Sequence, residues 1–259
     1  MKKNDIQSLT LTTVFAAIIL VMTFVPQIGY INIGAMSELT LIHIPVLIGA
    51  FFLPKKYTLM LGAIFGVGSL TYVFVNGLAG QPVFAAAFAN PLVSVFPRMI
   101  FAIVASYIFD LFKWFNKTVK NSEIYIFGFV SLVTIFAIYY ASQVILLVTS
   151  WNPSIFMPIS LLVVTLFMTA YYTLIRKEDQ SRTVIPSTFL VATIFHTFIV
   201  LMAALIFERS SLELIAPSTN IIGFIYTVAV TNGLIEAILA VLIGTPIVFA
   251  LNQLKAQKA

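Results

Sequence analysis

The chain is predicted to be an all-α polytopic membrane protein, a transmembrane helical bundle of about eight spans with both termini on the cytoplasmic side. Three observations predict this. Of 259 residues, 61% are hydrophobic and only 9% are charged, against about 25% charged in soluble globular domains. The mean hydropathy is +1.06. The basic residues fall in short clusters between apolar stretches: Lys2 and Lys3; Lys55 and Lys56; Lys113, Lys117 and Lys120; Arg176, Lys177 and Arg182; Lys255 and Lys258. Placed inside, these are twelve of the 14 Lys and Arg residues and leave only Arg98 and Arg209 outside, which satisfies the positive-inside rule. The same placement explains the net charge of +5 without a nucleic-acid partner. With no cysteine, disulfides and thiolate metal sites are excluded.

The first span is expected from Gln7 to Val25. It is longer than the apolar region of a secretory signal and lacks a small-x-small cleavage site, so it reads as uncleaved. Thr12 with Ala16 and Thr13 with Ala17 are small residues at i, i+4, where another helix can approach closely. An outer segment from Tyr30 to Met36 follows. The second span is expected from an N-cap at Ser37, with Glu38 in the first turn, to Leu53, where the helix dipole favours an acid. Its length is only about 25 Å, and Pro45 should bend it.

Pro54, Lys55 and Lys56 form a tight cytoplasmic turn, and the third span returns outward from Tyr57 to Val75 with Gly62, Gly66 and Gly68 as packing positions. Residues Asn76 to Phe96 are apolar but broken by Gly77, Gly80, Pro82 and Pro91, so they are expected to form an outer loop that covers something. The fourth span runs inward from Pro97 to Phe112. The fifth (Ile124 to Thr149) and sixth (Phe156 to Ile175) form a hairpin around Ser150, Trp151, Asn152 and Pro153. The seventh runs from Pro186 to Phe207, a polar outer loop follows, and the eighth starts near Ile221 and passes through Gly244 and Pro246. Residues 1–259 thus read as one integral membrane domain.

Ionisable residues inside spans are costly and are functional candidates by default. Here they are His43, Arg98, Asp110, His196 and Glu236. Arg98, at the outer end of the fourth span, can fork onto a carboxylate or phosphate or snorkel to headgroups. Asn232 and Glu236 share one face of the last helix and serve either a ligand or a neighbouring helix. His196 has the same two readings, and His43 can instead bond a carbonyl freed by Pro45. Asn90, in the outer apolar loop, completes the candidate set. Asp110 is expected to pair with Lys113 at i+3. Tyr30, Tyr72, Tyr139 and Trp151 fit an interfacial aromatic belt.

No H-E-x-x-H motif, acid pair or Ser-His arrangement is present, so no catalytic residue or cofactor is expected. The spacing of His43, His196 and Glu236 supports no metal site, and the Gly62–Gly68 run lacks the lysine of a phosphate loop. The chain has no evident means of hydrolysing ATP.

The segment LIHIPVLIGAFFLPKKYTLMLGAIFGVGSL, the outer loop with FPRMIFAIVASYIF, and the pieces ATIFHTFIVLMAALIF and TNGLIEAILAVLIGTPIVFAL resemble the substrate-binding S components of energy-coupling factor (ECF) vitamin transporters. The resemblance covers residues 9–115 and 187–252. It departs at Leu53-Pro54, where the family has Gly-Pro, and at Thr12/Ala16 and Thr13/Ala17, which only approximate the family's A-x-x-x-A coupling-module contact. Residues 122–180 add a transmembrane hairpin to a six-helix core. The IPVLIGA, FPR and TNGLIEA pieces are most similar to the pantothenate and cobalamin-type branch.

The resemblance implies a bacterial plasma-membrane subunit that captures a vitamin from outside, with Arg98 favouring a carboxylate-bearing one such as pantothenate. It also implies a coupling module of one transmembrane protein and two cytoplasmic ATPases. Two other classes remain: an ion-coupled secondary transporter using Glu236, for which no inverted repeat is evident, and an intramembrane enzyme.

Overall fold

A computed structural model describes residues 3–32, 38–76, 87–148, 152–175, 180–215 and 221–257. The elements are α1 (Lys3–Phe24), α2 (Pro26–Gly29), β1 (Tyr30–Asn32), β2 (Glu38–Thr40), α3 (His43–Phe52), α4 (Lys55–Asn76), α5 (Pro91–Ser94) and α6 (Phe96–Thr118), then α7 (Ser122–Val148), α8 (Pro153–Ile175), α9 (Gln180–Phe207), α10 (Arg209–Ile215), α11 (Ile221–Leu239), a π-helical turn (Ala240–Gly244) and α12 (Thr245–Gln257). Among the described residues six helices are long and apolar enough to cross a membrane, and His43–Phe52 and Ser122–Phe136 are shorter apolar helices. The architecture is a helical membrane bundle, as expected.

Apolar surface gives no hydrophobic drive between helices in lipid, so the bundle is held by close packing and by hydrogen bonds. Close backbone packing joins α4 and α6. A β-carbon at Gly62 would stand 2.6 Å from both the Ala102 Cβ and the Arg98 carbonyl oxygen, and one at Gly66 would stand 2.6 Å from the Val95 Cα. The two backbones therefore touch where only glycine fits. α6 packs in turn on α9, and α9 on α11, while α1 packs on α4. Phe65, Phe101, Phe109, Phe189, Leu61 and Ile185 fill the centre and are fully buried.

The pair of helices α7 and α8 forms a further layer. Its α7 packs on α9 and α11, and its α8 is the least buried of the six candidate spans. A buried hydrogen bond between Tyr171 Oη and Ser187 Oγ, 2.6 Å long, ties α8 to α9.

Several boundaries differ from expectation. The second span does not begin at residue 37: Glu38–Thr40 is a strand paired antiparallel with Tyr30–Asn32, and the helix starts at His43. The extended backbone buries Leu39 in the core and frees the Thr40 N–H for a distant acceptor. Ser37, the expected cap, lies outside the described residues.

Part of the expected outer loop is helical. Asn90 caps α5 by accepting from the Leu92 N–H at 2.9 Å, whereas 77–86 lie outside the described residues. The fourth span continues to Thr118, past the expected Phe112. The polar outer loop contains the helix Arg209–Ile215. Asp110 pairs with Lys55 at 2.7 Å rather than with Lys113, because Lys113 lies over the Phe51 ring at 4.8 Å. Tyr30 and Tyr72 are no simple belt, since their rings stack at 4.4 Å and Tyr72 is buried. Trp151 lies outside the described residues.

The glycine contacts give a direct test. Gly62→Leu is expected to destabilise the protein by about 1–3 kcal/mol through overpacking against α6. Gly128→Ala, where an added β-carbon meets nothing within 4 Å, should leave thermal unfolding in detergent unchanged or slightly raised.

Candidate functional site

Four of the sequence-derived candidates converge at the centre of the bundle. His43 begins α3, Arg98 lies in the first turn of α6, His196 is in the middle of α9, and Glu236 is near the end of α11. They are 0%, 6%, 4% and 6% exposed. Each sits on a helix whose position is fixed by packing, so these polar groups are held in place rather than carried on loops.

Glu236 is anchored at both oxygens. The Thr40 N–H donates to Oε1 at 2.8 Å, and the Thr197 hydroxyl lies 3.2 Å from Oε2. Thr197 Oγ1 is also 3.3 Å from the Thr193 carbonyl, so its single proton is shared between the two acceptors. The α9–α11 contact that permits this depends on Gly233, whose added β-carbon would come within 3.0 Å of the Thr197 side chain.

Arg98 is held differently. One guanidinium N–H donates to the Val93 carbonyl, Nε has no partner, and the guanidinium lies 5.7 Å from the Phe65 ring centre and 5.1 Å from that of Phe88. Among the described residues it forms no ion pair, although it is within electrostatic reach of Glu236 and Tyr30. A cation held against aromatic faces, without a carboxylate beside it, is equipped to receive an anion.

The two histidines form a stacked pair. Their ring centres are 5.8 Å apart with 19° between the planes. His196 also packs against Phe101 at 4.6 Å and Phe65 at 5.6 Å. Both ring nitrogens of His196 and Thr193 Oγ1 are buried without hydrogen-bond partners, while the His43 ring has only the Thr40 backbone within reach. The carbonyl four residues before Pro45, that of Leu41, accepts from the Ile44 N–H instead of from His43.

The other candidates fall elsewhere. Asn90 Nδ2 donates to Glu208 Oε1 at 2.8 Å, and Ser211 Oγ donates to Glu208 Oε2 at 3.0 Å, so Asn90 joins α5 to the segment after α9. Asn232 is half-buried, one turn before Glu236. The four small residues of α1 are divided: Thr12 is buried and Ala16 packs on the core, while Thr13 and Ala17 are exposed. Thr193 was legible from the sequence as a neighbour of His196 on one helix face, whereas Phe65, Phe101, Thr197 and the Thr40 backbone were not singled out. The signal available for Thr197 was its place beside His196; Thr40 carried none.

A groove of about 610 Å³ between α7 and α8, lined by residues such as Phe127, Met157, Leu161 and Met168, is almost wholly apolar. It lies apart from the polar centre. No cluster of three or more potential metal-ligating side chains occurs among the described residues.

Fold and site together define a multi-pass helical membrane protein with opposite charges and two histidines buried at its core. The chain is similar to the Pantothenate transporter PanT of Leuconostoc mesenteroides subsp. mesenteroides, with 29% identity over 136 residues, 51% of this chain and 60% of that protein. The match spans less than two thirds of that protein's length. No protein-family model matches the chain.

The Glu236 anchor predicts a local effect. Glu236→Leu leaves the Thr40 N–H without its acceptor, at about 1–3 kcal/mol, while the Thr197 hydroxyl keeps the Thr193 carbonyl. Hydrogen–deuterium exchange around 38–41 is expected to accelerate in Glu236→Leu and to remain closer to wild type in Glu236→Gln, which keeps an acceptor oxygen.

Proposed function

We propose that this chain is the substrate-binding S component of an ECF-type importer in the bacterial plasma membrane, and that its substrate is pantothenate or another carboxylate-bearing vitamin taken from outside. The observation that carries this reading is Arg98: a buried guanidinium with an unpartnered Nε and no ion pair among the described residues. A carboxylate entering from the outer side meets it with a charge-assisted bond. The pantothenate transporter similar to this chain supports the choice of acid.

In this reading both termini are cytoplasmic, and residues 122–180 are a hairpin added to a six-helix core. His43, His196, Asn232 and Glu236 line the site with Arg98, while Asn90 acts from the outer turn. The chain performs no catalysis. Energy comes from a coupling module of one transmembrane protein and two cytoplasmic ATPases, and α1 offers Thr13 and Ala17 on its outward face for contact with it. Thr12 and Ala16 support that face from within.

The test is ligand identification. Purified protein, denatured and analysed by mass spectrometry, is expected to release one vitamin per chain, and Arg98→Ala to weaken binding at least about 30-fold, since removing one member of a buried charge pair costs about 2–5 kcal/mol. An empty protein that moves its solute in vesicles lacking any ATPase, driven by an ion gradient, overturns this reading in favour of secondary transport through Glu236.

A further inference from the structure

The carboxylate contact proposed for Arg98 leaves the polar edges of the histidine pair unexplained. The faces of the rings are occupied: His43 and His196 stack on each other, and Phe101 and Phe65 pack against His196. Their edges are not. One His43 ring nitrogen has the Thr40 backbone within reach, but its other nitrogen, both nitrogens of His196 and the Thr193 hydroxyl, all buried, have no hydrogen-bond partner, and a buried polar group in a membrane protein costs several kcal/mol when left so.

The chemistry of these atoms narrows what they would meet. A neutral imidazole offers one donor and one acceptor, and a threonine hydroxyl offers both. A carboxylate only accepts, so it satisfies the donors and leaves the acceptors orphaned. A hydroxyl both donates and accepts, and it matches either tautomer of either ring. Arg98, by contrast, has only donors, and with Glu236 already held by Thr40 and Thr197 the site divides into an anion end and a neutral polar end.

We infer that His43, His196 and Thr193 form a hydroxyl-reading subsite, and that this trio rather than Arg98 sets the preference for a hydroxylated acid over its deoxy counterpart. The inference rests on the proposed binding function. Its ligand is a small carboxylic acid with at least one hydroxyl several bonds from the carboxylate, so that one molecule engages both ends. Thr193 and His196 are i, i+3 on α9 and share a face, which brings their orphaned atoms to the same side of the helix.

The test uses the full chain in lipid nanodiscs and two probes: pantothenate, and N-(3,3-dimethylbutanoyl)-β-alanine, which keeps the carboxylate, the amide and the whole carbon skeleton but lacks both hydroxyls. A site built to bond a hydroxyl rejects an analogue without it strongly, so wild type is expected to prefer pantothenate by at least about 100-fold. In His43→Phe and His196→Phe that ratio is expected to fall below about tenfold. Thr193→Val, which is isosteric, should lower it several-fold and serves where a histidine variant does not fold. A wild-type ratio near one, or ratios unchanged in the variants, overturns the inference while the binding function stands. Wild type that binds neither probe overturns both.

Discussion

A carboxylate buried at membrane depth has no water to turn to, and the arrangement of Glu236 follows from that constraint. Its two oxygens are met by the Thr40 N–H and the Thr197 hydroxyl, groups 196 and 39 residues away along the chain. For Thr40 to donate, its N–H must be free of a helix, and the short pairing of Glu38–Thr40 with Tyr30–Asn32 provides this. For Thr197 to reach, α9 and α11 must approach closely, and Gly233 allows it. One acid thus fixes a strand and two helices against one another.

The positive group is positioned by a separate device. Glycines on α4 bring its backbone against the first turns of α6, directly at the Arg98 carbonyl, so the arginine stands on a backbone-to-backbone contact that only glycine permits. A direct bond between Arg98 and Glu236 would neutralise both charges and leave nothing for a ligand. Instead the acid is saturated by neutral donors and the guanidinium rests among aromatic rings and one carbonyl. The charges stabilise each other through space without consuming each other's hydrogen bonds, and the cation keeps donors to offer.

The pair of helices α7 and α8 contributes no described residue to this centre. It is joined to the bundle by the Tyr171–Ser187 bond, and internally by the packing of Phe127 on Tyr171 at 5.7 Å, and its outer helix keeps most of its surface for lipid. The groove between its helices is apolar, consistent with the composition of α8, whose threonines return their hydroxyls to their own helix backbone. The pair is therefore a packing layer beside the polar core.

The helical membrane bundle was determined by the sequence alone, because apolar run length and the placement of Lys and Arg are one-dimensional properties that the bilayer reads directly. So were Arg98, His43, His196 and Glu236 as candidates, since a polar group inside an apolar run is conspicuous without any structure. Glycines 62 and 66 were legible as packing positions for the same reason. Only the tertiary structure decided which of these meet. That Thr40 offers its backbone to Glu236, that the histidines stack on each other, that Asp110 chooses Lys55 over Lys113, and that Asn90 turns to Glu208 all depend on contacts between residues far apart in sequence. The strand at Glu38–Thr40 belongs with them: its three residues carry no strand period of their own, and a partner strand together with a buried acceptor on α11 selects the extended form over the helix.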